Sequence, residues 1–589
     1  MPSKAPGQHK GSPALAVDAQ QNAQDVSRLW HCVTTHRVSF ALSLFAVQAA
    51  LLSLCLSPRL FSSASDAGVV AARAMTFPDL YEASIAELQE GLAKELFSSE
   101  DLVKAYFARI EEVNLQGPTL RAVIETNPSA LAQARALDIE RRILGNRGPL
   151  HGIPILLKDN IATLHSEGMN TTAGSFALLG SVVPRDAGVA ARLRAAGAIL
   201  LGKANLSEWA NFRGCPSGFS GRGGQSSSPY VPLGSPSGSS SGSGIGTAIG
   251  LAAASLGSET DGSIISPSEI NNLVGIKPTV GLTSRAGVVP ISKHQDTVGP
   301  MARSVTDAAT ILSIIAGRDP RDNFTLSQPL HVPDFTKALD KDALRGARLG
   351  VARQFAGKNA NVIAALNASI ALMEKMGAAI VDPADFPDFA ELEASNNETL
   401  VLLTDFKVDV ENYISGLVHV PTGVKTLADL IAFNTAHADQ ELVEPFWTSQ
   451  SRFIASENTT VDQAYFDALA ADKDLGQTRG IDATLEMFNL DALILPSSGS
   501  PRPAAIAGYP IVTVPLGFQP PNTTLSPAQP TRSSGPNQPF GLSFMGTAFS
   551  EFTLISFAFA YEQATHTRLQ QLAFAEAIPK TQLADIVGK

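Results

Sequence analysis

The sequence predicts an α/β fold, with helices packed on a central sheet. Two observations point there. Short apolar runs of strand length alternate with helix-periodic segments toward both ends of the chain, a pattern in which each element buries one face against the other kind. In addition, 44% hydrophobic residues over a length of 589 supply ample material for a core, and only 17% are charged, which argues against wholesale disorder.

Regular structure is expected after a polar stretch that ends near Met75. Ser84 with Glu87 makes a capping box that opens a first helix. A second helix follows Ser98 and Ser99, with Leu102, Val103, Tyr106, Ile110 and Val113 on one face. "GPLHGIPILLKDN" reads as a short buried strand, Ile153 to Leu157, that ends abruptly at Lys158-Asp159-Asn160. "DAGVAARLRAAGAILLGKAN" reads as a helix stopped at Gly197, then a buried strand from Ala198 to Leu201. Ile245 to Ala254 reads as another helix. Toward the C-terminus, Ala492 to Pro496 and Pro510 to Gly517 read as strands. A Pro-rich, solvated loop from Gln519 to Pro539 separates them from "FGLSFMG", and a helix is expected over roughly Ser550 to Thr565. No repeat period is visible.

A net charge of -11 with no Lys/Arg run speaks against nucleic acid as a partner. A small neutral or organic molecule is the default. Of three cysteines, Cys32 and Cys55 lie near the N-terminus and Cys215 is alone in the body, so no body disulfide and no zinc spacing can be drawn. Val38 to Leu56 is an apolar run broken only by Ser and Gln, close to the roughly 20 residues that span a bilayer. It is longer than the core of about 7–15 residues in a secretory signal. Residues 1–74 therefore read as a targeting segment. It is a cleaved signal, or an anchor retained with the body outside, or the product of a misassigned start on a cytoplasmic protein. Sequons at Asn170, Asn323, Asn367, Asn397, Asn458 and Asn522 fit a glycosylated, secreted or lumenal body.

Three motifs fail on context. "GAILLGKA" nearly matches a phosphate loop, but Ala204 replaces the Ser/Thr that would hold magnesium and its middle is a strand. "GSGIG" lacks the strand that precedes a dinucleotide fingerprint. "GSSSG" lacks the strand that a nucleophile elbow requires.

The serines and glycines of "SPSGSSSGSGIG" and "GSETDGSIISP" form either a floppy linker or a backbone that gathers hydroxyls and amides around one reacting atom. A serine hydroxyl is a poor nucleophile until a base takes its proton. A lysine serves as that base only when neutral, through burial or a nearby positive dipole. Lys158, at the end of an apolar strand, fits burial. On the residues alone, a lysine surfacing from a strand end fits better.

"GPLHGIPILLKDN", "GKANLSEWANFRG", "GSPSGSSSGSG", the stretch from "GSETDGSIISP" through "HQDTVGPMARSVTDAA", and "GLSFMGTAFSEFTLISFAFAYEQATHTR" resemble, in order, the blocks of the amidase signature family. The likeness covers roughly residues 80 to 570. It implies a single domain, 75–589, with a twisted mixed sheet covered by helices on both faces. It also implies a Ser–Ser–Lys relay, a variant of triad logic: Lys158 as base, Ser239 after a cis peptide bond, and Ser263 as nucleophile. Backbone N–H groups of Thr260, Asp261, Gly262 and Ser263 would hold the oxyanion. Neither cofactor nor metal is implied, and the partner is a small-molecule amide. Membrane contact is expected only through an N-terminal anchor.

Ser240, Ser241 and Ser243 suit close backbone approach within the loop, and Ser240 is also a candidate to touch substrate. Asp296 reads as architectural. His151 is set aside as a base because the relay supplies one. The sequence departs from many relatives at Asp261, where glycine is usual, and at Ile265, where arginine is usual. Ile265 is the second candidate substrate contact, and its lack of charge points to a neutral or apolar amide. The rival readings are an amidotransferase A-type subunit that releases ammonia from glutamine, and a noncatalytic scaffold.

Overall fold

The structure, a computed structural model, describes residues 77–589. The apolar run 38–56, Cys32, Cys55 and the remainder of the expected targeting segment lie outside the described residues. Thirteen strands are present among the described residues. The first six are β1 (Val123–Thr126), β2 (Pro154–Lys158), β3 (Ile199–Ala204), β4 (Phe219–Ser220), β5 (Gly224–Gln225) and β6 (Ala254–Glu259). Then follow β7 (Val274–Lys277), β8 (Thr297–Ala302), β9 (Arg348–Val351) and β10 (Ala379–Val381). The last three are β11 (Ala492–Pro496), β12 (Ile511–Phe518) and β13 (Pro539–Met545). Strands β4 and β5 form a small hairpin, and the other 11 make one sheet in the order β1-β3-β2-β6-β8-β7-β12-β13-β11-β9-β10. The sheet is mixed: β2 runs parallel to both β3 and β6, while β6 and β8 are antiparallel.

Apolar side chains on both faces explain why these strands read as continuous hydrophobic runs. Along β11, Ala492 and Ile494 enter one hydrophobic cluster, and Leu493 and Leu495 enter another on the opposite face. Helices thus cover both sides of an α/β sheet. A third cluster unites Trp209 and Phe212 with Phe406, Leu430 and Phe453 from the helices at 397–457. Its aromatic rings pack closely, with Phe406 stacked on Phe453 at 5.1 Å.

Both early helices start where the caps place them. Ser84 and Glu87 exchange their capping hydrogen bonds before helix Ile85–Ala93. Helix Ser99–Val113 buries the expected face. The helix expected from Ile245 to Ala254 is corrected: it spans Ser241–Ala248, turns at Gly250 with φ +68°, and the chain becomes β6 at Ala254. Alanine carries no period of its own, and a left-handed glycine ends a helix at little cost. Strand β3 extends past Leu201 to Ala204. The loop between β12 and β13 joins two adjacent antiparallel strands. Among the described residues no helix is long and apolar enough to cross a membrane. Of the sequons, Asn170 has a committed side chain: Nδ2 donates to Glu125 Oε2 at 3.0 Å and Oδ1 accepts from Gly180 N–H at 3.1 Å.

Candidate active site

Lys158 and Glu259 are the last residues of two neighbouring parallel strands, β2 and β6, and both are buried. In open α/β sheets such carboxyl ends are where ligands bind. The alternation of β2 sends Lys158 off the end of an apolar run. Its Nζ lies 2.7 Å from Ser239 Oγ, 2.9 Å from Ser258 O and 3.0 Å from Ser258 Oγ. Asn160 Nδ2 donates to the same Ser258 hydroxyl at 2.9 Å. Burial pushes the Lys158 amine down to about 7, against the opposing pull of Asp296 and Glu259. A lysine that neither surfaces nor holds a full charge can accept a proton near neutral pH.

Ser239 follows a cis peptide bond from Gly238, as the resemblance implies. It lines a cavity of about 510 Å³ together with Gly238, Thr260, Asp261 and Ser263. Ser240 N–H donates to Ser263 O at 3.2 Å, which ties the two serine loops together. Ser263 is 7% exposed. The structure thus places Ser239 and Ser263 on one cavity, with Lys158 hydrogen-bonded to Ser239.

The turn that carries Ser263 is fixed from beneath. The Glu259 carboxylate accepts from Ile264 N–H at 2.6 Å and Ile265 N–H at 2.8 Å. Burial raises this carboxyl, while Lys277 and the amides of Ile265, Ile264 and Gly262 oppose the rise. Gly262 takes φ +79°, a conformation that favours glycine. From above, Thr260 Oγ1 donates to Asp296 Oδ1 at 2.5 Å. Asp296 Oδ2 accepts from the amides of Ile291 and Ser292, so Asp296 is architectural as expected.

Two substrate candidates are corrected. Ser240 is fully buried with its hydroxyl donating to Ser258 O at 3.2 Å, and Ile265 is fully buried in the cluster of Leu493 and Leu495. Neither lines the cavity. The chain enters helix Ile265–Ile270 directly after the turn, so the side chain that follows it points into the core. His151 is consumed elsewhere: Nδ1 accepts from Arg147 N–H and Nε2 lies 3.0 Å from Leu137 O.

Sequence reasoning missed Ser258 and Glu259, although both stand in the quoted "GSETDGS" run. It also missed the far wall, formed by Ala210 to Phe212, Glu398, Leu402, Leu403, Ser451 and Arg452. That wall is braced by a buried ion pair, Arg213 Nε to Glu208 Oε1 at 2.9 Å. Trp209, Ala210 and Asn211 between them all take positive φ.

Comparison with known proteins agrees with this geometry. A family model described as Amidase matches residues 101–555. A protein of Arabidopsis thaliana named "Probable amidase" is 42% identical over 537 residues, covering 90% of this chain and 98% of its own length. The native peptide amidase from Stenotrophomonas maltophilia is 42% identical with a TM-score of 0.75, over 86% of this chain and 100% of that one. The A-type subunit of the glutamyl-tRNA(Gln) amidotransferase of Moorella thermoacetica is 31% identical over 84% of this chain and 100% of its own. The chain belongs to the amidase signature family, with that family's α/β fold, and it is a hydrolase of carboxylic amide C–N bonds.

Proposed function

We propose that Lys158, Ser239 and Ser263 perform this hydrolysis as a relay. Neutral Lys158 takes a proton from Ser239, which takes one from Ser263 as that oxygen attacks the amide carbonyl. Backbone N–H groups of the turn at Thr260, Asp261, Gly262 and Ser263 receive the oxyanion, each such donor being worth about 100- to 1000-fold in rate. The proton returns to the leaving amine, the C–N bond breaks, and water hydrolyses the acyl-enzyme by the same relay in reverse. The observation that carries this reading is the buried Lys158 amine, near neutrality, 2.7 Å from Ser239 Oγ.

A likeness to a peptide amidase solved in complex with the competitive inhibitor chymostatin, at 44% identity over 83% of this chain and 98% of that one, supports a small peptide-like or amino-acid-like amide as the substrate. The apolar run 38–56 and the exposed sequons at Asn323, Asn367 and Asn522 support a secreted or lumenal setting, in which the ammonia-donating role of the amidotransferase relatives has no partner reaction. The deciding experiment compares wild type with Ser263→Ala on a panel of amides that includes glutamine. Turnover is expected to fall by about 10⁴-fold or more with an unchanged thermal melt. Retained turnover in the variant would remove Ser263 as nucleophile.

A further inference from the structure

We propose that Asp261, backed by Glu398, selects amides whose acyl part carries a cationic group, an ammonium or guanidinium, a few bonds from the reacting carbonyl. This rests on the amidase reading of the cavity and names the substrate class it prefers. Ile265, from which a neutral substrate is expected, is buried in the core and cannot read the substrate. The charge preference must come from the cavity wall.

That wall carries two carboxyl groups, Asp261 and Glu398, in the same cavity as Ser239 and Ser263. Glu398 is partly satisfied: Gln295 Nε2 donates to its Oε1 at 2.9 Å, and Arg502 Nε lies 3.4 Å from its Oε2. Asp261 is exposed, and its side chain makes no hydrogen bond among the described residues. Enclosure by the cavity walls and then the Glu398 and Glu259 carboxyls push it well above its ordinary range, with only weaker opposition from Arg502 and Lys277. The remaining cation of the wall, Arg452, sits over the Phe212 ring at 5.5 Å. Arg502 pairs with Glu398, whereas no cation lies within ion-pair distance of Asp261 among the described residues, and an incoming ammonium supplies one.

The feature does not rest on acidity alone. Ser263, two residues from Asp261, is 93% buried with its hydroxyl lining the same cavity and without a hydrogen-bond partner among the described residues. That unpaired group marks the space as one built for a ligand. Asp261 lines the cavity of the reacting centre, where a partly desolvated ion pair outweighs one in open water.

The test uses hexanamide, 6-aminohexanamide and adipic acid monoamide, which share a chain length and differ only in terminal charge. Butanamide and 4-aminobutanamide give a shorter pair. For the wild type, kcat/KM is expected to be about 10-fold or more higher for at least one cationic amide than for its neutral partner, and lowest for the anionic one. Asp261→Asn should bring the cationic-to-neutral ratio near one, and Glu398→Gln should lower it part of the way. Should Asp261→Asn fail to fold, Glu398→Gln and the decline of the wild-type ratio with added salt give the same reading. Equal kcat/KM within both wild-type pairs, or a preference that survives in Asp261→Asn, overturns the proposal while leaving the amidase assignment intact. If no amide is hydrolysed and a fluorophosphonate fails to label Ser263, the assignment of the site falls and the proposal with it. If labelling occurs without turnover, cationic amides must protect Ser263 better than neutral ones, and equal protection overturns the proposal.

Discussion

At the scale of the residue, the site depends on how far burial can discharge a lysine. With the Lys158 amine at about 7 in the folded chain and near 10.4 when unfolded, two consequences follow. Acylation should rise with pH through a midpoint near 7 as the amine loses its proton, and Lys158→Ala should lose that limb in a pH–rate profile. Stability responds in the same direction. Below pH 7 the folded protein holds a buried charge. Between about 7 and 10.4 the unfolded chain binds the extra proton, so stability gained from this group rises with pH across that window. Lys158→Met should therefore raise the melting temperature more at pH 6 than at pH 10. An equal shift at both would contradict a buried, discharged amine. Lys158 was legible through the family block that carries it, since an apolar strand end alone better fits a surface lysine. Ser258, which holds the same amine twice, was not, because a serine in a Ser/Gly run carries no pattern that separates a ligand from a spacer.

At the scale of the element, the turn from β6 into helix Ile265–Ile270 is the part on which Ser263 rides. Glu259 spans it by accepting two buried amides. Glu259→Ala leaves both unpaired and should cost about 2–6 kcal/mol of stability, with a reduced burst of acyl-enzyme. Glu259→Gln keeps an acceptor and should recover most of the melt. If both variants melt like wild type, the turn is held by something else. The elements themselves were read unevenly. Strand β11 matched its expectation residue for residue, since β-rich apolar sequence between breakers leaves little choice. The alanine run after Ile245 did not, because alanine suits a helix and a buried strand alike, and only the backbone at Gly250 separates them.

At the scale of the molecule, the sheet is closed between its halves by β7 pairing with β12, Gly275 to Lys277 against Ile511 to Thr513. The relay comes from the first half, residues 158 to 263, while much of the cavity's far wall comes from 398 to 455. That division explains what the sequence could disclose. Lys158, Ser239 and Ser263 stand in contiguous blocks with their own signatures, whereas Glu398 and Arg452 reach the site through tertiary contacts, among them the packing of Phe406 and Phe453 with Trp209 and Phe212.

The exposed crossing from β12 to β13 has one more outcome. Each strand it connects is also hydrogen-bonded to a second neighbour, β12 to β7 and β13 to β11, so peptide continuity at the tip adds little to holding them together. An engineered protease site between Asn522 and Thr523, both outside the ladder, should give two fragments that co-elute under native conditions, still turn over amide, and separate only in denaturant. Fragments that drift apart on cutting would mean that the covalent link, and not the sheet, keeps the last strand in place.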